Sequence, residues 1–164
     1  MVDIVPAEVR SRMMASIRAH DTQPELRLRR EMHARGFRFR LCRKDLAGSP
    51  DLVFPRFRVA VFVHGCFWHR HEGCRFASNP KSREDFWRMK FEANVVRDRR
   101  VQQALLGEGW RVSVVWECAL RADPARIADG LVAWMLSVPA DPLIEFDRLG
   151  PSSSAPTNRR LDGR

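Results

Sequence analysis

A chain of 164 residues, 45% of them apolar, has room for one domain with one hydrophobic core and is not a disordered composition. No apolar run approaches the roughly 20 residues of a membrane span, and the opening MVDIVPAEVRSRMM lacks the apolar core of a signal peptide, so a cytoplasmic location is expected. The 29 Lys and Arg against 20 Asp and Glu leave a net charge of +9, carried almost wholly by Arg, with Lys only at Lys44, Lys81 and Lys90. Codon bias explains a choice of Arg over Lys but not the positive excess, which points to a nucleic-acid partner through counterion release from phosphates.

In chain order, residues 6–19 read as a short amphipathic helix with Val9, Met13 and Ile17 on one face. Thr22-Gln-Pro-Glu25 is a capping box with Pro just inside the start, opening a second helix that Gly36 stops. Residues 37–41 alternate Phe37, Phe39 and Leu41 with Arg, as a half-buried strand does. Pro50 closes a turn, and Asp51 opens a short strand through Phe54. Residues 59–63 form a continuous apolar run, the signature of a central strand buried on both faces. Residues 64–80 are loop-like. Ser82 begins a cap, and helical periodicity holds from Phe86 to Leu106 before two glycines. A strand at 112–116 and a last helix at 124–138 complete the order αα-β-β-β-α-β-α, an α/β fold with a mixed sheet flanked by helices. Residues 150–164 are Pro/Ser-rich and read as a disordered tail.

Three of the five histidines and two of the four cysteines fall within HGCFWHRHEGC, residues 64–74. Cys66, His71 and Cys74 supply three metal ligands on one loop, and Cys118 can supply the fourth. Such a Cys3His set is a common closed, structural zinc site. Two alternatives stay open here: His69 competes with His71 as ligand, and the cysteines can be plain buried thiols. Cys42 lies near no other ligand type and reads as an ordinary buried thiol.

Pro50-Asp51 at a strand start, followed by a buried strand, is the pattern of a nuclease core in which Asp binds Mg2+. The usual second carboxylate and Lys are missing, because those positions hold Phe62 and His64. By spacing alone a turn residue after Pro50 is the more ordinary reading of Asp51. His64 and His69 bring two imidazoles able to take a proton from water or give one to a leaving oxygen, against a packed or metal-bound role. Glu25 is explained by the capping box, its carboxylate reaching the Thr22 backbone N–H, or by orienting a metal-bound water. Phe67-Trp68, adjacent aromatics in a polar loop, suit a wedge between base pairs or packing around zinc.

His64-Gly-Cys66-Phe67-Trp68-His69-x-His71, together with Asn94-Val-x-Arg-Asp98-Arg-Arg and Gly109-Trp-Arg-Val…Val-Trp116-Glu-Cys118-Ala-Leu, resembles the very short patch repair endonucleases. The likeness runs from about residue 9 to 137 and includes Arg10-Ser…Met14 and Asp21-Thr22…Glu25. It implies a restriction-endonuclease-like core with a structural zinc. It also implies a nick 5′ to the T of a T:G mismatch left by 5-methylcytosine deamination, with 3′-hydroxyl and 5′-phosphate ends. By that resemblance Asp51 and the backbone carbonyl of Val63 hold Mg2+, and His69 is the general base. His64 and Glu25 support the site, and Asp98 orients a histidine. Cys66, His71, Cys74 and Cys118 hold zinc. Phe67, Trp68 and Trp87 form a wedge entering from the major groove, and Met14 intrudes from the minor groove.

Two departures stand out. Val63 replaces a Thr of the family pattern, and two residues, Glu72 and Gly73, separate His71 from Cys74 where the pattern has one. The expected organisation is a DNA-contacting helix over 1–20, an endonuclease domain over 21–149 and a tail over 150–164. The expected partner is double-stranded DNA carrying a T:G mismatch, bound by a monomer, with mismatch-repair accessory proteins and a repair polymerase downstream and nucleoid association when acting. A zinc-stapled mismatch sensor that does not cut and a restriction enzyme on matched duplex are the competing readings.

Overall fold

The computed structural model describes residues 20–138 and 141–153, with Pro6, Glu8, Val9 and Arg12. The helix expected over 6–19, with Met14, therefore lies almost entirely outside the described residues.

Helix α1, Gln23–Ala34, has Pro24 in its first turn and buries Glu25, Leu28 and Met32, one stripe at helical spacing. Strands β1 (Leu52–Phe54) and β2 (Val59–His64) run antiparallel, with Leu52 opposite Val61 and Phe54 opposite Val59. The long helix α2, Glu84–Gly107, then crosses to β3, Arg111–Trp116, which lies parallel to β2. Helices α3 (Glu117–Ala122) and α4 (Pro124–Leu136) lead to β4 (Leu143–Asp147), parallel to β3, and β5 (Gly150–Ser153) closes the edge antiparallel to β4. The result is one mixed five-stranded sheet in the order β1-β2-β3-β4-β5.

Alternation along the strands separates two apolar layers. Val59, Val61 and Val115 face α1, α3 and α4, where Leu28, Leu120, Leu131 and Met135 complete the larger core. Ala60, Phe62 and Val112 face the other way, against Leu105 of α2, Trp110 and Leu46. Each fully buried Leu or Val contributes about 1.5–3 kcal/mol, so both faces of β2 are committed and its register is strongly specified. Gly130 lets α4 lie on the sheet, since a Cβ there would meet the Phe146 ring at 2.9 Å.

Several elements differ from the sequence expectations. Residues 37–41 do not form a strand: only Arg40 bridges Val53, through two hydrogen bonds of 2.8 Å. The Phe37 N–H returns to Met32 O at the end of α1, and Cys42 has φ +47°, so the ladder cannot extend either way. The alternation there reflects Phe37 and Phe39 packing on the core. Cys42 is half-exposed, not buried. The start of α2 is capped by Arg83 at φ +53° with no side-chain cap, in place of Ser82. Residues 150–153, expected to begin the tail, form β5, because β4 offers them an unpaired edge; 154–164 lie outside the described residues. Helix α3 and strands β4 and β5 were not expected from the sequence.

Candidate active site and metal centre

The parallel strands β2 and β3 end side by side, His64 opposite Trp116, and β1 begins at the same edge because it runs antiparallel. A cavity of about 840 Å3 opens there. The N-terminus of α1 contributes Thr22 and Glu25, the turn before β1 contributes Asp51, and the end of β2 contributes Val63 and His64. The following loop adds Trp68 and His69, and the middle of α2 adds Arg97 and Asp98. Residues expected to share a site from scattered sequence positions are thus brought to one cavity.

Asp51 is anchored by the Val63 backbone N–H, which donates to its Oδ2 at 2.7 Å. Burial pushes its carboxyl up to about 6; nearby Glu25 adds to the rise and the Val63 N–H opposes it. With one N–H donor and no ion pair among the described residues, this carboxylate has a charge that a divalent cation would balance.

Glu25, 3% exposed, accepts from the Asp21 backbone N–H and the Thr22 hydroxyl, both at 2.9 Å, and pairs with Arg29 at 2.9 Å. Its carboxylate therefore reaches one residue further back than the Thr22 N–H of an ordinary capping box. The same side chain fastens the entry of α1 and stands at the wall of the cavity.

The His64 and His69 rings stack, 3.9 Å between centroids and 9° between planes. Burial first, then the charge of His69, lowers His64 to about 3, so it is neutral at physiological pH. His69 Nδ1 lies 2.6 Å from Asp98 Oδ2. Burial raises the Asp98 carboxyl, but the hydrogen bond from His69 and the surrounding cationic groups outweigh it and hold the group below its ordinary value. An ionised Asp98 can only accept, so Nδ1 carries the proton and Nε2 is left as the basic nitrogen.

The loop carrying these groups is wound by its own backbone: His69 N–H donates to Gly65 O, His71 N–H to Cys66 O and Cys74 N–H to His71 O, at 3.1–3.2 Å. Cys66, His71, Cys74 and Cys118 converge, all four ligand atoms lying within 4.8 Å of one another. His71 Nδ1 is 3.6 Å from Cys66 Sγ and 3.4 Å from Cys118 Sγ. Zinc bonds of about 2.3 Å to sulfur and 2.0 Å to nitrogen give tetrahedral edges of about 3.5 Å, which this nitrogen–sulfur spacing matches. His69 faces Asp98 instead, so His71 is the histidine of the cysteine cluster. Gly73 at φ +69°, with open space where a Cβ would sit, takes up the extra residue between His71 and Cys74.

Beside the cavity, Phe67, Trp68 and Trp87 form a half-buried aromatic cluster with centroids 5.1–5.9 Å apart, backed by Phe91. Asn94 Nδ2 donates to Trp68 O at 3.1 Å, fixing the loop to α2, and Lys90 lies over both Trp68 and Trp87. The ring stacked on the cysteine cluster is Trp116, lying on His71 at 4.2 Å and 6°.

The family model for DNA mismatch endonuclease Vsr matches residues 2–75. The chain is 53% identical over 120 residues to the type II nicking enzyme V.XorIIP of Xanthomonas oryzae pv. oryzae, covering 73% of this chain and 88% of that protein. It is 43% identical over 121 residues to DNA mismatch endonuclease Vsr of Escherichia coli, covering 74% and 77%. The chain belongs to the Vsr family. It is thus a DNA endonuclease, and DNA is its partner. A further relative, the type II nicking enzyme V.NmeAIP of Neisseria meningitidis, is 40% identical over 121 residues, covering 74% and 86%.

The family match spans Glu25, Asp51, His64, Cys66, His69, His71 and Cys74; beyond it, the fold brings Asp98 to the cavity and Cys118 to the cysteine cluster. Sequence reasoning missed Glu117 and Arg97 on the cavity wall and Trp116 against His71. Their signal was adjacency alone, since Trp116 and Glu117 immediately precede Cys118 and Arg97 precedes Asp98.

Proposed function

We propose that this Vsr-family endonuclease nicks one strand of duplex DNA 5′ to the T of a T:G mismatch, in a Mg2+-dependent reaction leaving 3′-hydroxyl and 5′-phosphate ends. The observation that carries this reading is the single cavity lined by Glu25, Asp51, Val63, His64, His69 and Asp98, bordered by Phe67, Trp68 and Trp87. A chain with the mismatch-endonuclease relative's likeness and this combination has chemistry and lesion sensing side by side.

Asp51 and the Val63 carbonyl are the oxygens that would hold Mg2+, which when bound polarises the scissile phosphate and stabilises the leaving oxygen. Replacing the family's Thr by Val63 keeps a backbone ligand and loses only a hydroxyl contact. His69 takes the proton of the attacking water on Nε2. Asp98 fixes that tautomer through Nδ1 and stabilises the imidazolium that forms. Neutral His64 supports the His69 ring, and Glu25 orients water at the cavity wall. Phe67, Trp68 and Trp87 enter the base stack from the major groove, with Met14 acting from the minor groove. A T:G pair stacks more weakly than a matched pair, so the wedge costs less at the lesion. Cys66, His71, Cys74 and Cys118 would hold a structural zinc that fixes the loop bearing His69. The sheet and its flanking helices are read as a restriction-endonuclease-like core.

An asymmetric lesion needs one cut, so the enzyme works as a monomer. The 3′-hydroxyl primes a repair polymerase, with mismatch-repair accessory proteins acting around it at the nucleoid in the cytoplasm. Among the described residues no helix is long and apolar enough to cross a membrane.

The test is a nicking assay on labelled duplexes with one T:G mismatch in varied flanking sequence, beside T:A and C:G controls. A single Mg2+-dependent nick 5′ to the mispaired T, absent from the controls, is expected. Cutting of matched duplex would replace this reading with a restriction enzyme. Mismatch binding without a cut in any context would replace it with a sensor.

A further inference from the structure

Strand β4 lies beside β3, and two of its residues reach the Cys66, His71, Cys74 and Cys118 cluster. Trp116 Nε1 donates to Glu145 Oε2 of β4 at 3.0 Å, which holds the indole flat against His71. Asp147, the last residue of β4, has its Oδ1 committed to its own turn, accepting from Leu149 N–H at 2.7 Å and Gly150 N–H at 3.1 Å. Those two bonds lock the carboxylate, and its free Oδ2 lies 4.0 Å from His71 Nε2. Glu145 and Asp147 of β4 thus reach one ligand and the ring that packs on it.

We propose that Asp147 is the positioning residue of the metal centre, selecting the His71 tautomer that carries its proton on Nε2 and so presents the Nδ1 lone pair to zinc. The proposal rests on the reading that Cys66, His71, Cys74 and Cys118 hold zinc. The separation is longer than a hydrogen bond, so Asp147 acts through charge. A carboxylate beside Nε2 favours the N–H there and increases the basicity of the other nitrogen, the arrangement that raises ligand strength in carboxylate–histidine–zinc triads. Nδ1 is the nitrogen facing Cys66 and Cys118, so the selected tautomer is the one the cluster requires.

The test uses the full chain, with zinc held in competition with a chromophoric chelator and Co2+ absorption spectra recorded for the same samples. Asp147→Asn keeps an oxygen for Leu149 and Gly150 and removes the charge; Asp147→Ala removes both. The parent chain is expected to take up one Zn2+. Asp147→Asn should weaken it roughly tenfold to hundredfold and alter the Co2+ ligand-field bands. If Asp147→Asn matches the parent in affinity and spectrum while only Asp147→Ala loses metal, Asp147 is a turn-former and the positioning role is overturned. If the parent itself takes up neither ion, the zinc reading fails, and the proposal fails with it.

Discussion

His64 and His69 lie face to face, 3.9 Å between ring centroids and 9° between planes. Two imidazolium ions cannot share such a stack in a buried site, and burial keeps His64 neutral with its pKa lowered to about 3. In the proposed mechanism the proton taken from water therefore goes to His69 and not to His64. His69→Ala should slow nicking about 10²–10⁴-fold in single-turnover kinetics, with mismatch binding changed only a few-fold in gel-shift titrations. A comparable loss in binding would assign His69 to docking.

Asp98 stands 2.6 Å from His69 Nδ1 and fixes which nitrogen is basic. Asp98→Asn keeps the shape but removes the charge that stabilises the imidazolium, and its amide can donate to Nδ1 and select the wrong tautomer. A fall in kcat of roughly 10²-fold or more is expected, with KM nearly constant. Steady-state kinetics separates this from a binding defect, which would raise KM.

Asp51 couples stability to pH. Its folded carboxyl is raised from 3.8 to about 6, so the folded state holds the proton more tightly. The stability this supplies is fully present below 3.8 and is lost as pH rises through about 6. In buffer without Mg2+, Asp51→Asn should therefore be more stable than the parent at pH 7.5, by on the order of 2 kcal/mol, with the difference shrinking towards pH 4. Urea denaturation at the two pH values measures it. The same variant should not nick, and in the parent more Mg2+ should move the acid limb of activity to lower pH, because proton and cation compete for Asp51.

Removing metal from the Cys66–His71–Cys74–Cys118 cluster should loosen the loop that also carries His69. About one zinc per chain is expected by metal analysis, and a strong chelator should lower Tm by roughly 10 °C or more. An unchanged melting curve on a metal-free, folded sample would show that the four residues pack without an ion.

Trp68 is half-buried between the cavity and Trp87, 5.9 Å from it. Trp68→Ala should weaken binding to a T:G duplex about tenfold, given ~1–3 kcal/mol for each base–aromatic stack, and leave matched duplex almost unaffected. Equal losses on both duplexes, read from binding isotherms, would make Trp68 a structural residue.

Much of this was legible in the sequence because it is local. The apolar run at 59–63, the capping signal and glycine stop of one helix and the helical span from Phe86 are local, and the structure returns them as β2, α1 and α2, though Met89 and Val96, expected on the apolar face of α2, stay exposed. Cys66, His71 and Cys74 share one loop, so spacing alone marked them as candidate ligands, with His69 still in competition. Residues 37–41 misled because Phe37 and Phe39 bury alternately without a ladder, and period two records burial and not pairing.

By itself, the sequence determined the main helices, the central strands and the loop on which chemistry-bearing side chains are concentrated, since each depends on neighbours a few positions away. Only the tertiary structure decided that Glu25, Asp51 and Asp98 meet at one cavity, that His71 and not His69 joins the cysteines, and that Glu145 of β4 holds Trp116 against that cluster. It alone also raised Asp51 and lowered His64, because burial and charge at a side chain come from residues far away in the chain, whose approach no local spacing encodes.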